Sequence, residues 1–328
     1  MNVPEVFTAR RAATDDALTR LAAQLPRLDA EQHPGLTIYA TGSLGRGEVG
    51  THSDLDVFLV DTTTDRDDPA RVGNLARIKL LSQLMDVSEA AGFPQFSGDG
   101  KFLAVHALGD LRDLLGTRDD DASNVFTARM LLLLESVPLV GHDAYRASVR
   151  GVIDEYWRDQ RSPDGFVPFF LINDLVRYWK TLCLNYEAYR PADRTLRRIP
   201  LIKLRFNRLW TCFAGLAFLV AGYEPVGDGK GFITREHAIE MVELTPLESV
   251  LRTVERHPAA EPFAQRALEE MGWWLAASDA GKDELRERFA DSDFYYEARR
   301  RGDVFGDAMG DMLDAVVAAT PLRRKLLL

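Results

Sequence analysis

Cysteine, net positive charge and long apolar runs are all scarce in this sequence of 328 residues. The two cysteines, Cys183 and Cys212, lie far apart in separate apolar helical patterns, which excludes a disulfide framework and a CxxC metal site. The formal net charge of −10 argues against a general electrostatic grip on nucleic acid or on anionic lipid, although a local basic cleft is compatible with it.

Signals for membrane insertion and secretion are also missing. The longest uncharged stretch, residues 209–223, is shorter than the roughly 20 residues that a bilayer span needs. The first residues, MNVPEVFTARRAATDD, have no apolar run behind their basic residues and do not resemble a secretion signal. We therefore expect a cytoplasmic protein with no membrane partner.

The composition that is present is typical of a globular chain, with 46% hydrophobic and 27% charged residues. At roughly 100–200 residues per domain, the length predicts two or three domains. Hydrophobic spacing in the first third predicts helices at 4–25 and 70–91, and strands at 36–40, 57–60 and 102–108. After residue 121 the strand signals stop, and helices are predicted at 124–136, 142–160, 167–190, 200–222, 234–256, 261–278, 282–292 and 303–319.

These elements predict an α/β (α+β) fold in two parts. Residues 1–122 are expected to form a small domain with a mixed sheet, and residues 123–328 an all-helical domain.

Chemistry is concentrated in residues 36–61, LTIYATGSLGRGEVGTHSDLDVFLVD. A strand ends at Gly42, whose missing Cβ lets a phosphate approach the backbone. Ser43 and the amides after it are expected at a helix N-terminus, which attracts anions.

A pair of carboxylates opens the second strand. Asp54 and Asp56 are separated by one residue, so on a strand they point to the same face and repel each other. A divalent cation relieves that repulsion, and oxygen ligands suit Mg²⁺, which also bridges the phosphates of a nucleoside triphosphate. The two motifs together, with ten residues between Ser43 and Asp54, are far more specific than either alone.

This arrangement resembles the DNA polymerase β-like nucleotidyltransferase superfamily, whose core is a strand, Gly-Ser or Gly-Gly, a helix, and Asp-x-Asp or Asp-x-Glu on a second strand. The fuller form, GSLGRGE followed by SDLDV, is similar to the branch with the protein-modifying uridylyl- and adenylyltransferases. The resemblance covers roughly residues 36–110. It implies that Gly42 and Ser43 hold the triphosphate and that Asp54 and Asp56 bind two metal ions.

Three neighbouring residues have two readings each. Arg46 fits the motif of that branch, and it either reaches a phosphate or stabilises the loop. Glu48 is expected as a helix cap or as the partner of Arg46 rather than as a ligand, and His52 as a loop residue rather than a catalytic one.

A third carboxylate, which superfamily members usually carry on the next core strand, is missing from the strand predicted at 102–108. Ala104 stands at a central position of that strand, and His106 is expected on the same face. The third role therefore falls to Asp99, Asp110 or His106, or it is absent.

The helical part offers two polar stripes beside apolar faces. Arg177 and Lys180 follow Asn173 at helical spacing, and Lys203 begins a similar stripe that ends at Trp210. Such a stripe is either a rim of snorkelling side chains or one wall of a cleft. Since the superfamily often closes its site with basic residues from a helical domain, Arg177, Lys180 and Lys203 are candidate nucleotide ligands. Trp210 either stacks on a base or belongs to the core.

We expect a Mg²⁺-dependent nucleotidyltransferase that moves a nucleoside monophosphate from an NTP, by default ATP, to an acceptor hydroxyl. A protein is the favoured acceptor, with an RNA end or a small molecule such as an aminoglycoside as alternatives. Because the third carboxylate is missing, the alternative function is a nucleotide sensor or an antitoxin-like regulatory module.

Overall fold

The computed structural model describes residues 1–63, 71–94, 96, 103–162, 165–191, 193–227, 230–318 and 320–323. The chain forms two compact units, which we call the sheet unit (Arg10–Arg158) and the helical unit (Met1–Ala9 with Asp159–Leu328). The boundary expected after residue 122 falls inside the sheet unit.

The sheet unit contains a mixed sheet of four strands: β1 (Leu36–Thr41), β2 (Asp56–Asp61), β3 (Val105–Ala107) and β4 (Val137–Val140). Their order is β3-β2-β1-β4. β1 runs antiparallel to β2 and β4, whereas β2 and β3 are parallel. The antiparallel register pairs Thr41, the last residue of β1, with Asp56, the first residue of β2. This pairing brings the Gly-Ser turn and the carboxylate motif to one end of the sheet.

Seven α-helices accompany these strands among the described residues, and the first of them begins in the helical unit. They are α1 (Glu5–Gln24), α2 (Gly42–Gly45), α3 (Asn74–Ala90), α4 (Leu108–Asp113), α5 (Arg118–Ala122), α6 (Val125–Leu134) and α7 (His142–Tyr156). α3 joins the parallel strands β2 and β3. It is the crossover helix that a parallel pair requires.

Both faces of the sheet are covered, which explains the fully apolar run at 57–60. One face places Ile38 and Leu59 in a core with Leu21 of α1 and Leu84 of α3. Each of these side chains is almost completely buried, and burying a leucine or isoleucine stabilises the fold by about 1.5–3 kcal/mol.

The other face carries a ladder of rings. Tyr39 stacks on Phe58 with ring centroids 5.9 Å apart, and Phe58 stacks on His106 at the same separation. Tyr145 of α7 meets Tyr39 edge-on at 6.0 Å, so the ladder continues into the covering helix.

The helical unit is built around α10 (Leu209–Ala221), whose residues are almost all buried. Its apolar sequence is therefore that of a core helix, and no helix among the described residues has the length and apolarity to cross a membrane. Apart from short 3₁₀ helices, the elements of this unit are α8 (Phe169–Ala188), α9 (Arg198–Lys203), a π-helical turn (Leu204–Arg208), α10, β5 (Glu224–Gly227), β6 (Lys230–Phe232), α11 (Arg235–Glu243), α12 (Pro246–Arg256), α13 (Glu261–Ala277), α14 (Lys282–Ala290) and α15 (Ser292–Ala318).

The mixed α/β class is confirmed, but strands do not stop after residue 121. β4 completes the four-stranded sheet as an edge strand, a position that tolerates a proline such as Pro138. In addition, β5 and β6 form a hairpin in the helical unit.

Two predicted helix boundaries were also wrong. The segment 234–256 is two helices, because Thr245 caps a new one with Glu248 in a reciprocal capping box. α15 starts at Ser292 rather than at 303.

Candidate functional site

The end of the sheet where β1 meets β2 holds the predicted motif residues. α2 begins at Gly42, directly after β1, and Gly42 has a φ of +67°. A Cβ at this position would lie 3.0 Å from Oδ2 of Asp56. The structure therefore brings the Asp56 carboxylate against the backbone of Gly42, which only glycine allows here without strain.

Asp54 lies outside β2, in a segment without regular structure. Leu55 is only 1% exposed and belongs to the core, whereas Asp54 and Asp56 on either side of it are half-buried. Since successive side chains in an extended chain alternate in direction, the two carboxylates lie on the side opposite to Leu55.

Ser43 is half-buried and belongs to a helix of only four residues. Its carbonyl oxygen accepts the N–H of Glu48 at 2.8 Å, which closes the loop after α2. A single turn has little macrodipole, so attraction of an anion rests on the first N–H groups of α2, which have no acceptor inside the helix.

Arg46 is buried between two carboxylates. Its Nε donates to Oε2 of Glu48 at 2.8 Å, and its Nη1 donates to Oε2 of Glu135 at 2.7 Å. Burial disfavours the charged guanidinium, but Glu135 and Glu48 outweigh this and raise the pKa of Arg46 above its ordinary value. We therefore assign Arg46 to holding the loop, with Glu48 as its partner, and not to binding a phosphate.

Glu135, which follows α6, has no counterpart in the sequence analysis. It is 89 residues from Arg46 in sequence, and no local pattern signals the pair. Gly45 makes the approach possible, because a Cβ there would lie 1.8 Å from the carbonyl oxygen of Glu135. The loop is thus pinned to the end of α6 by an ion pair and by close backbone contact.

His106 and Asp110, which were considered for the role of a third carboxylate, lie farther along the sheet than Asp56. The parallel register pairs His106 with Val60, four residues along β2 and so about 13 Å from Asp56. Asp110 lies in α4, beyond that same end of β3. Neither residue reaches the Gly42–Asp56 end of the sheet in this arrangement.

Ala104 precedes β3 and is exposed. Extending the register back by one residue places it level with Phe58 rather than with Asp56. Asp99 and the first residues of the predicted strand lie outside the described residues. Within the described part of the chain, no third carboxylate accompanies Asp54 and Asp56.

The basic candidates belong to the helical unit. Arg177 donates to Asp174 on its own helix at 3.1 Å, while Lys180 and Lys203 are exposed. Trp210 is fully buried and packs near Phe305 with ring centroids 6.1 Å apart. The base-stacking role considered for Trp210 is therefore wrong, because its indole is part of the core.

Two carboxylates are enough for one kind of metal site. No group of three or more His, Cys, Asp or Glu side chains in the described ranges is placed to hold an ion. Mg²⁺, however, is commonly bound through one or two carboxylates, with water and substrate phosphates completing its shell. Asp56 against the backbone of Gly42, with Asp54 on the same side of the extended segment, fits Mg²⁺ that arrives with a phosphate, and not a cage made by protein alone.

No protein-family model matches the chain, and no curated protein and no solved structure matches it. The support for a function therefore comes from the geometry at Gly42 and Asp56 and from the sequence motif around them.

Proposed function

We propose that this protein is a Mg²⁺-dependent nucleotidyltransferase that transfers a nucleoside monophosphate from an NTP, by default ATP, to an acceptor hydroxyl. The observation that carries the proposal is the contact of the Asp56 carboxylate with Gly42, at the start of the Gly-Ser turn. It joins an anion-accepting backbone to a metal-binding carboxylate, which is the pairing that phosphoryl transfer needs.

Each part of the site has a separate task. The N–H groups of Gly42 and Ser43 bind the phosphates, with the Ser43 hydroxyl as an additional donor. Asp54 and Asp56 would hold Mg²⁺, which when bound neutralises the charge that develops on the phosphates. Arg46, Glu48 and Glu135 keep the turn in place. The acceptor oxygen forms a bond to the α-phosphorus, pyrophosphate leaves, and the hydroxyl proton passes to solvent or to a carboxylate.

The acceptor and the remaining ligands follow from the sequence resemblance. The acidic balance of the chain disfavours a long RNA, and a protein side chain remains the preferred acceptor. Two metal ions, and phosphate contacts from Arg177, Lys180 and Lys203, stay predictions.

The second candidate is a nucleotide sensor or antitoxin-like regulator. The observation that favours it is the lack of a third carboxylate near Asp54 and Asp56 among the described residues, because such a group activates the attacking hydroxyl. A sensor keeps the phosphate and metal contacts but does not turn over.

Label transfer separates the two candidates. The protein is incubated with Mg²⁺, a cell lysate and each labelled NTP in turn, and pyrophosphate release is followed alongside label on protein, RNA and small molecules. Transfer with pyrophosphate release supports the enzyme, and tight NTP binding without turnover supports the sensor. Absence of both binding and transfer overturns both candidates.

Asp54→Asn with Asp56→Asn tests the carboxylates directly. We expect loss of Mg²⁺-dependent NTP binding or turnover, with an unchanged or higher apo melting temperature because like-charge repulsion is removed. Asp119→Asn with Asp143→Asn is the matched control, since both side chains are mostly exposed and belong to the same unit. Full activity in the first variant would show that the metal assignment is wrong.

A further inference from the structure

A polar cavity lies at the opposite end of β2 from Asp56. It has a volume of about 210 Å³, and its lining includes Arg71, Asn74, Arg77 and His106. Asp61, which also lines it, is five residues from Asp56 along the strand, or about 17 Å. The cavity is therefore separate from the Gly42–Asp56 site.

We propose that this cavity binds the phosphate group of a small molecule. Two guanidinium groups line it, and neither Arg71 nor Arg77 forms an ion pair with a carboxylate in the part of the chain that the structure describes. Nη2 of Arg77 donates to Oδ1 of Asn74 at 2.9 Å, so the amide nitrogen of Asn74 stays available as a donor. Arginine forks match the oxygens of a phosphate better than any other side chain.

The two guanidinium groups outnumber Asp61, the one carboxylate among the described lining residues, so the lining keeps a net positive charge. Oδ1 of Asp61 accepts the N–H of Thr63 at 2.9 Å, and its Oδ2 accepts the N–H of Val72 at 2.9 Å. Both oxygens thus hold the chain as it leaves β2 and as it enters α3. Asp61 shapes the cavity, while the arginines supply its recognition chemistry.

The fold places this cavity where phosphates bind in parallel α/β units. β2, α3 and β3 form a parallel strand–helix–strand crossover, and the cavity lies at the carboxyl ends of the two strands. α3 is 17 residues long and starts at Asn74, and its N-cap residue Gly73 offers no side-chain cap. The N–H groups of its first turn therefore have no acceptor from a capping side chain, and the helix dipole favours an anion there.

His106 adds a directional donor. Its ring is fixed by stacking on Phe58, and burial lowers its pKa below the ordinary value despite the opposing charge of Asp110. A neutral imidazole then offers one N–H to an oxygen of the phosphate.

Titration of the whole protein with inorganic phosphate tests the site. Calorimetry is done with EDTA present, so that no metal contributes at Asp54 and Asp56. We expect saturable binding that weakens at least about tenfold in Arg71→Gln with Arg77→Gln, since charged hydrogen bonds are lost. Binding should be unchanged in Arg118→Gln with Arg146→Gln, two exposed arginines of the same unit.

Asn74→Asp is a second probe that does not depend on removing an arginine. It places a carboxylate beside Arg77 and is compatible with the start of a helix, so it should fold and compete with phosphate. The proposal is overturned if the wild type shows no saturable binding at millimolar phosphate. It is equally overturned if Asn74→Asp and the double arginine variant, each folded by circular dichroism, bind as the wild type does.

Discussion

Gly42 is required both for its backbone conformation and for the space it leaves to the Asp56 carboxylate. Its φ of +67° costs a residue with a side chain about 1–2 kcal/mol, and a Cβ would lie 3.0 Å from Oδ2 of Asp56. Gly92 shares the first property but not the second, because its φ is +82° and nothing lies within 4 Å of a Cβ there. Substitutions at the two glycines therefore distinguish the effect of backbone strain from the effect of displacing the Asp56 carboxylate.

We expect Gly42→Ala to lower the free energy of unfolding by about 1–2 kcal/mol and to weaken Mg²⁺-dependent NTP binding. Gly92→Ala should cost similar stability and leave binding unchanged. Urea unfolding and NTP titration of both variants measure this. Equal loss of NTP binding in the two would show that Asp56 does not depend on the space at Gly42.

His237 makes stability depend on pH. The ring stacks on Phe218 at 4.3 Å, and its Nε2 lies 2.7 Å from the carbonyl oxygen of Phe218. Burial lowers the pKa of His237, although the bond to Phe218 and the nearby Glu240 oppose the shift. In the unfolded chain the imidazole has its ordinary pKa of about 6.5, so the unfolded state binds a proton more readily than the folded state does.

The helical unit should therefore lose stability as the pH falls below about 6.5, and the loss should level off once the pH is below the folded-state pKa. We expect the melting temperature of His237→Gln to depend less on pH between pH 7 and pH 5 than that of the wild type. His106, whose pKa is also lowered, leaves a residual slope. An unchanged slope in the variant would rule out His237 as the source.

At the scale of elements, the buried cluster of Arg46, Glu48 and Glu135 ties the loop after α2 to the end of α6. The three side chains are 8%, 3% and 1% exposed, so water screens their charges little and the guanidinium of Arg46 is an ion-pair partner of both carboxylates. Removing the cation leaves two carboxylates close together in the interior. The loss of one partner from such a cluster is far more costly than replacing the whole cluster.

We expect Arg46→Met to destabilise the sheet unit by about 3–5 kcal/mol at pH 7, and by less at pH 5, where a carboxylate can take up a proton. The triple variant with Glu48→Gln and Glu135→Gln should recover most of this loss. Urea unfolding at both pH values gives the comparison. If the triple variant is no more stable than Arg46→Met, the loss comes from packing and not from charge.

At the scale of the whole molecule, residues 1–9 belong to a unit that the chain rejoins only at Asp159. Phe7 is 4% exposed, and its ring centroid lies 6.4 Å from that of Trp210. The terminal ammonium lies 3.0 Å from Glu261, and the N–H of Asn2 donates to Gln265 at 2.7 Å. The beginning of the chain is thus part of the helical core.

Phe7→Ala should lower the free energy of unfolding of the helical unit by about 3–5 kcal/mol, because a large buried ring leaves a cavity. Thr8→Ala, at an exposed neighbouring position, should have little effect. Hydrogen exchange measures both, with faster exchange expected in α10 and α13. Faster exchange confined to β1 and β2 would contradict this assignment of the first residues.

The local order of residues in the sequence by itself determined several strands and helices of this protein. The apolar runs predict β1 and β2 within one residue at each end, because strand alternation and turn residues act over short distances. The same holds for the approach of Gly42 to Asp56, since two antiparallel strands that are consecutive in the chain and paired in the sheet bring their facing ends together. Helix periodicity likewise predicts α1, α8 and α13 closely.

Contacts between distant segments were decided only by the tertiary structure. The pairing of Arg46 with Glu135 spans 89 residues, and β4 is a strand because its four residues complete the edge of β1. The spacing of Trp210 in the sequence is compatible with a side chain that faces a ligand or one that faces the core, and only its burial in the structure assigns it to the core. His106 is separated from Asp56 by a parallel register that no single strand encodes. Periodicity specifies which face of an element is apolar, whereas the partner of that face depends on packing energies summed over the whole fold.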